Sequence, residues 1–199
     1  KKIAKIFRAH GTERKDNYFW MRDDSRKKQE VIDHLKEENS YLEKWFKLKK
    51  DNRSKLFEEI VARIPKKEDS VPVFLGSYVY FRRYDKDKEY PLYIRHSPGT
   101  SNEEVILDVN NLASNNDFYQ LSNWTISPSE NLMGFAEDTS GRRLYKIRIK
   151  ELNKKVFLED EIQGTSGDMA WSSDGEFLFY VKRDPETLLP FQVYRHRLG

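Results

Sequence analysis

"TISPSENLMGFAED" (residues 125–138) and "AWSSDGEFLFYVKRD" (residues 170–184) are two copies of one pattern. Each copy has an apolar residue, a serine, two turn residues and then a strand in which apolar positions alternate. Ser127 and Ser172 occupy equivalent places in the two copies and lie 45 positions apart. A looser copy surrounds Tyr80. Several short strands repeating at this period are typical of the blades of a β-propeller.

Short runs rich in β-branched and aromatic residues, separated by turn residues, continue from Pro72 to the end of the sequence. They predict strands at 78–84, 90–95, 104–108, 124–127, 132–138, 143–149, 155–158, 177–182 and 192–197. We expect these strands to form successive antiparallel sheets rather than one continuous sheet. The residues after Pro65 supply about three blades, whereas closed propellers have about 4–8. The sequence is therefore expected to be part of a longer chain.

A different pattern precedes the strands, because residues 28–64 have helical spacing. The break "KDNRS" at 50–54 divides this region into two predicted helices, and Pro65 ends the second. Asp23, Asp24 and Ser25 are candidate caps for the first helix. Apolar positions on the two helices are Val31, Ile32, Leu35, Leu42, Trp45, Phe46, Leu56, Phe57, Ile60, Val61 and Ile64. The fold class is thus predicted as mainly β, with a helical arm over residues 1–70 and an incomplete, roughly three-bladed propeller segment over residues 71–199.

Composition excludes several classes of protein. The 199 residues include no cysteine, which removes disulfides, thiolate catalysis and thiolate zinc sites. No apolar run approaches the roughly 20 residues that cross a bilayer, and the basic start "KKIAKIFRAH" lacks the features of a signal peptide. A cytoplasmic protein that does not contact a membrane is expected.

Charge is distributed unevenly along the sequence. Residues 1–70 carry 20 Lys+Arg and 14 Asp+Glu, whereas residues 71–199 carry 16 and 19. The basic residues of the first part are interleaved with acids, as in "RKD", "RDD" and "KEEN", and this cancels the field that a phosphate backbone needs. We therefore expect no nucleic-acid partner and instead an arm that docks on a protein surface.

No catalytic motif is present. A nucleophile elbow needs G-x-S-x-G, and the nearest stretches, "GTSN" at 99 and "GTSGD" at 164, do not match it. The histidines, at positions 10, 34, 96 and 196, are scattered and have no neighbouring serine or acid in a triad-like context. Metal-binding and phosphate-binding motifs are also missing. The sequence therefore predicts no catalytic residue, no metal and no cofactor.

One polar constellation remains, around the turn "EDTSGRR". Opposite charges across the end of a hairpin would stabilise it by about 0.2–1 kcal/mol if exposed. Alternatively, the arginines would pair with acids of another domain or with a peptide carboxylate. The candidate substrate-contact or interdomain residues are Glu137, Arg142 and Arg143.

Seven segments carry a family resemblance that covers nearly the whole sequence. They are "HGTERKDNYFWMRDDS", "EVIDHLKEENSYLEKW", "LFEEIVARIPKKEDSVP", "YPLYIRH", "ILDVNNLA", "SPSENLMGFAEDTSGRRLYKIRIKEL" and "DPETLLPFQVYRHRLG". In this order they closely resemble the N-terminal part of the oligopeptidase B (protease II) group of the prolyl oligopeptidase family of serine peptidases. The first and last segments are the most specific, since blade strands alone would not distinguish families.

The resemblance implies a helical arm that wraps an α/β-hydrolase catalytic domain and a seven-bladed propeller that caps the active site. It implies a full-length serine endopeptidase that cleaves short peptides after Lys or Arg, with no cofactor. The hydrolase domain of the same protein would be the main partner, and residues 10–25 would be a strap that docks on it. Self-association of the isolated segment and its inactivity are further expectations. The alternative is a non-enzymatic propeller that serves as a scaffold or binds peptides.

Overall fold

The computed structural model describes residues 1–199, which divide into two compact units, Lys1–Ile64 and Pro65–Gly199. The boundary lies before the expected position at residue 70, because Glu68–Asp69 already pairs with a strand of the second unit. None of the helices has both the length and the apolar character that crossing a membrane requires.

The first unit begins with a β-hairpin that the sequence patterns did not predict. Strand β1 (Lys5–Ala9) pairs with β2 (Thr12–Asp16) across a two-residue turn. Both turn residues, His10 (φ 51°) and Gly11 (φ 73°), adopt the left-handed conformation that a type I′ turn requires. The β2 sequence "TERKD" contains no apolar residue, so the alternation by which strands are identified is missing.

Two helices, α1 (Gln29–Lys47) and α2 (Lys50–Ala62), follow a short 3₁₀ turn at Phe19–Met21. The predicted break at 50–54 is wrong, because the helices separate at Leu48–Lys49 and residues 50–54 lie inside α2. Most of the apolar residues on both helices are exposed within the chain, and only Val31 is buried. The helices therefore present apolar surface that the first unit itself does not cover.

The second unit consists mainly of antiparallel strands. Its elements are β3 (Glu68–Asp69), β4 (Val73–Leu75), β5 (Tyr78–Tyr84), β6 (Leu92–His96), β7 (Glu104–Asp108), α3 (Val109–Ala113), β8 (Gln120–Ile126), β9 (Leu132–Asp138), β10 (Tyr145–Glu151), β11 (Val156–Trp171), β12 (Phe177–Arg183) and β13 (Pro190–Arg197). Strands β4 to β7 form the first blade, with β3 beside β5. Each later strand pairs with the next one along the chain. This order of neighbouring antiparallel strands is that of propeller blades.

The second and third blades share the long strand β11, which corrects the expectation of separate sheets. Its first part pairs with β10 and its last part, Met169–Trp171, pairs with β12. Hydrogen bonding therefore continues through a six-stranded sheet from β8 to β13. The register shifts between Thr165 and Met169, where the chain leaves one blade and begins the next. The sequence predicted only the beginning of β11, at 155–158.

Strand β9 lies between two hydrophobic cores because successive side chains of a strand point to opposite faces. Met133 and Phe135 pack with Tyr80 and other residues of the first blade. Ala136 packs on the opposite face, in a core that includes Leu178 of the third blade. Every residue of β9 after Leu132 is buried. The second blade is therefore covered on both faces, as a blade inside a propeller is.

Charged side chains join neighbouring blades through main-chain carbonyl groups. Arg95 of the first blade donates to the Glu130 carbonyl oxygen at 2.7 Å. In the reverse direction, Lys150 of the second blade donates to the carbonyl oxygen of Ile106 at 2.8 Å, and burial lowers the pKa of Lys150. These bonds satisfy polar groups that the packing of blades would otherwise leave without partners.

Gly167 tests the crossing between the second and third blades. It has φ +91°, and a Cβ atom there would lie 2.9 Å from Ser122 Oγ and 3.3 Å from the Tyr145 ring. We expect Gly167→Ala to lower the free energy of unfolding by about 1–3 kcal/mol, because both the backbone and the packing oppose a side chain. Urea unfolding of the purified protein measures this change.

Gly99→Ala is the matched control, because Gly99 also has a positive φ (+77°) but no atom lies within 4 Å of the added Cβ. Gly99→Ala should lower the free energy of unfolding by about 1 kcal/mol, which is the backbone contribution alone. Equal losses for the two variants would show that packing at the blade crossing contributes nothing.

Candidate substrate-contact and interdomain site

The turn from Thr139 to Leu144, here called the arginine turn, is organised by the buried carboxylate of Asp138. This carboxylate accepts hydrogen bonds from the Ser140 N–H and hydroxyl (both 2.8 Å), the Gly141 N–H (3.1 Å) and the Arg143 N–H (2.7 Å). Burial opposes the charge, but these bonds outweigh it and hold the pKa of Asp138 below its ordinary value. The loop between β9 and β10 is therefore held in one conformation.

The two arginines of this turn have no acidic partner within the chain. The backbone N–H of Arg142 donates to Ser140 Oγ, and that of Arg143 donates to Oδ2 of Asp138. Arg143 is exposed and has φ 58°, whereas Arg142 is partly buried and its Nε has no hydrogen-bond partner. The arginine turn thus presents two guanidinium groups without a counter-charge.

Glu137 does not contact these arginines, although the sequence places it near them. Its carboxylate is 4% exposed and accepts a hydrogen bond from the Tyr119 hydroxyl at 2.7 Å. Two cations of β10, Lys146 (3.3 Å) and Arg148 (3.5 Å), lie close to it. Burial, and next the bond to Glu137, raise the pKa of Tyr119. Because Glu137 and Asp138 are consecutive on β9, their side chains point to opposite faces, and only Asp138 reaches the arginine turn.

One histidine corrects the sequence-based expectation, because His196 lies beside an acid. Its Nε2 is 2.6 Å from Oδ1 of Asp160, a residue 36 positions earlier that the packing of β13 near β11 brings close. Burial opposes the charge of Asp160, but the bond from His196 and one from the Gly199 N–H lower its pKa. Local sequence could not reveal this pair.

The His196–Asp160 pair is not part of a catalytic triad in this chain. The additional donor to Asp160 is a backbone N–H rather than a serine hydroxyl. The buried serine of the stretch "GTSGD", Ser166, donates to Asp168 at 2.7 Å and lies within a strand, not at a strand-to-helix turn. His96 Nδ1 contacts only a backbone carbonyl, that of Ser97. No nucleophile, base and orienting acid are assembled among these residues.

Comparisons with known proteins agree with this description of a propeller segment. A family model described as "Prolyl oligopeptidase, N-terminal beta-propeller domain" matches residues 1–199. Among curated proteins, a dipeptidyl aminopeptidase BI from Pseudoxanthomonas mexicana is 36% identical, and Protease 2 from Moraxella lacunata is 34% identical; each match covers the whole chain and 30% of the relative.

Solved structures show the same relationship. Oligopeptidase B from Leishmania major is 32% identical with a TM-score of 0.90, and oligopeptidase B from Trypanosoma brucei is 27% identical with a TM-score of 0.88. Both comparisons cover 100% of this chain and 30% of the solved one. The chain is thus an N-terminal β-propeller segment. It belongs to the prolyl oligopeptidase family and spans about 30% of the length of the relatives it matches.

Asp138 provides a test of the arginine turn. We expect Asp138→Asn to lower the free energy of unfolding at pH 7 by about 2–3 kcal/mol, because bonds to a charged acceptor are replaced by weaker ones. The pKa of Asp138 is lowered in the folded state, so its charge stabilises the fold at a pH above the ordinary aspartate value of about 3.9. This contribution disappears as the pH falls through the lower pKa of the folded protein.

Urea unfolding of the wild type and the variant from pH 7 down to pH values below that ordinary aspartate pKa measures the effect. Asp117→Asn is the control, since Asp117 is exposed. A stability difference at Asp138 that persists unchanged at the lowest pH would contradict the assignment to its charge.

Proposed function

We propose that this chain is the N-terminal arm and the first propeller blades of an oligopeptidase B-like serine endopeptidase. The full-length enzyme cleaves short peptides after Lys or Arg in the cytoplasm. Residues 1–199 carry no catalytic group and instead support and gate an active site in an α/β-hydrolase domain of the same protein. No cofactor takes part in this proposal.

The single observation that carries the proposal is the match to oligopeptidase B of Leishmania major. A TM-score of 0.90 and 32% identity extend over 100% of the chain rather than over isolated strands. Family members below 25% identity share the fold at lower scores, for example 0.73 at 18% identity. The similarity therefore favours the oligopeptidase B group within the family.

The exposed apolar residues of the arm support its proposed role in docking. Trp45 is 45% exposed, Leu56 58% and Phe57 69%, although such side chains are ordinarily buried. Lys49 lies 3.7 Å from the Trp45 ring centroid and Arg53 4.3 Å from that of Phe46, so cations stack on part of this surface. A partner that covers these residues would remove the apolar surface from water.

Two further observations support gating and the preference for basic peptides. The Trypanosoma brucei relative is described as a closed form with covalently bound antipain, so that enzyme has a closed state. In this chain residues 71–199 carry 16 Lys+Arg and 19 Asp+Glu. A net negative propeller attracts positively charged peptides and repels acidic ones.

A second candidate function is the release of dipeptides from amino termini. It is favoured by the 36% identity to a dipeptidyl aminopeptidase BI, a protein of which this chain covers 30%. Both candidates use peptide hydrolysis, and they differ in whether the substrate needs a free amino terminus.

The activity prediction concerns the full-length protein and the segment 1–199 side by side. We expect the full-length protein to hydrolyse a fluorogenic peptide with a blocked amino terminus and Arg before the scissile bond. Its kcat/KM should exceed that for the matching Ala peptide by on the order of 100-fold, as a charge-recognising pocket allows. The segment alone should show neither turnover nor labelling by a fluorophosphonate, because it assembles no activated nucleophile.

Each other outcome has a distinct meaning. Hydrolysis of the unblocked peptide alone would favour the dipeptidyl aminopeptidase function. A full-length protein that neither turns over nor becomes labelled would favour the non-enzymatic scaffold. Activity of the segment that persists through repurification would reveal a catalytic serine within residues 1–199.

The two arginines of the arginine turn test the proposed contact with substrate or hydrolase domain. We expect Arg142→Ala or Arg143→Ala in the full-length enzyme to lower kcat/KM on the order of tenfold, since each removes a guanidinium that has no acidic partner within residues 1–199. The melting temperature should change little for the same reason. Unchanged kinetics together with a lowered melting temperature would show that these side chains stabilise the turn only.

A further inference from the structure

The turn from Asp184 to Leu189, here called the leucine turn, joins β12 to β13 and has a fixed conformation. Oδ1 of Asp184 accepts hydrogen bonds from the Glu186 N–H (3.0 Å), the Thr187 N–H (2.7 Å) and the Thr187 hydroxyl (2.8 Å). The main chain adds a bond from Leu188 N–H to Asp184 O and one from Asp184 N–H to Leu189 O. The backbone at its tip is therefore held in one conformation before any partner binds.

The two leucines at this tip do not favour the folded state of this chain by itself. Leu188 has φ +60°, a left-handed conformation that glycine, asparagine or aspartate adopts more readily than a leucine. Leu189 is 63% exposed, so its apolar side chain gains little from burial within the chain. Neither local geometry nor the hydrophobic core explains leucines at these two positions. A contact outside this chain would explain them.

The leucine turn lies next to the arginine turn. Arg183, the last residue of β12, donates from its guanidinium to the carbonyl oxygen of Arg143 at 2.8 Å. The surface therefore combines the exposed side chain of Leu189 with the guanidinium groups of Arg142 and Arg143, which have no acidic partner in the chain. This surface is complementary to a partner surface that has an apolar patch bordered by carboxylates.

This surface lies at the end of the propeller where the chain enters it. Both turns connect the second and third strands of their blades, and the equivalent turn of the first blade follows Tyr84. Glu68, near the start of the second unit, pairs with Tyr84 and so lies at the same end. A blade of four antiparallel strands returns the chain to the end at which it started, and connections between a propeller and the rest of its protein therefore emerge at this end.

We propose that the leucine turn docks on the hydrolase domain of the same protein, where Leu189 enters an apolar site bordered by carboxylates. This inference rests on the proposed function, because that function supplies the domain. The relatives are about three times as long as this chain, which covers 30% of them, so they hold residues enough for such a domain. The leucine turn then contributes to closure of the propeller over the active site.

Photo-crosslinking in the full-length protein tests the contact without requiring activity. Leu189→p-benzoylphenylalanine places a photoreactive ketone on the turn, and Val156→p-benzoylphenylalanine is the matched control. Val156 is also an exposed apolar residue (46%), but it begins β11 next to a turn at the opposite end of the second blade. Mass mapping identifies the peptides joined to each position.

We expect position 189 to crosslink to peptides of the hydrolase domain with a yield on the order of ten times that from position 156. Crosslinks from position 189 to other blades, to a second copy of the protein, or with the same yield as from position 156 would each overturn the proposal. This result is independent of turnover. An inactive protein that still shows the expected crosslinks would contradict the proposed function but support the contact.

Leu189→Glu adds a kinetic measurement. It should lower kcat/KM on the order of tenfold at an unchanged melting temperature, because a carboxylate would enter an apolar, acid-bordered site. Val156→Glu should leave kcat/KM within about twofold. Equal effects of the two variants on kcat/KM would contradict a role of the leucine turn in closure.

Discussion

The burial of β9 on both faces is the constraint on which the propeller segment depends. Phe135 faces the first blade and Ala136 faces the third, and both are 0% exposed. A strand covered on both sides cannot shift its register by one residue without moving large side chains into the place of small ones. The positions of the neighbouring blades, and of the turns at their ends, follow from this strand.

Polar contacts then determine which groups the blades present to the rest of the protein. Asp138 accepts hydrogen bonds from three backbone N–H groups of the arginine turn, and the side chains of Arg142 and Arg143 pair with no acid of the chain. The charge of Glu137, one residue earlier, is balanced by Lys146 and Arg148, and its carboxylate also accepts a hydrogen bond from the Tyr119 hydroxyl. One carboxylate therefore shapes a surface and the other is paired inside its own blade, although the sequence presents them as a single acidic pair.

Strand prediction was most accurate for strands that lie within a regular blade. The boundaries of β5, β7 and β9 were predicted as the structure has them, since alternation and turn residues are both clear there. The prediction of β11 ended too early, because the strand continues through "GTSGD" into the next blade. The hairpin of β1 and β2 was missed because β2 contains no apolar residue.

The sequence by itself determined the repeat of the blades, the helical region of the arm, the family resemblance and the lack of a nucleophile motif. All of these depend on residue types at short or regular spacings. Only the tertiary structure decided that His196 meets Asp160 across 36 positions and that Arg183 bonds to the carbonyl of Arg143 across 40. The physical reason is that such pairs form when one blade stacks on another. The angle and register of that stacking come from the packing of buried side chains, which no local periodicity records.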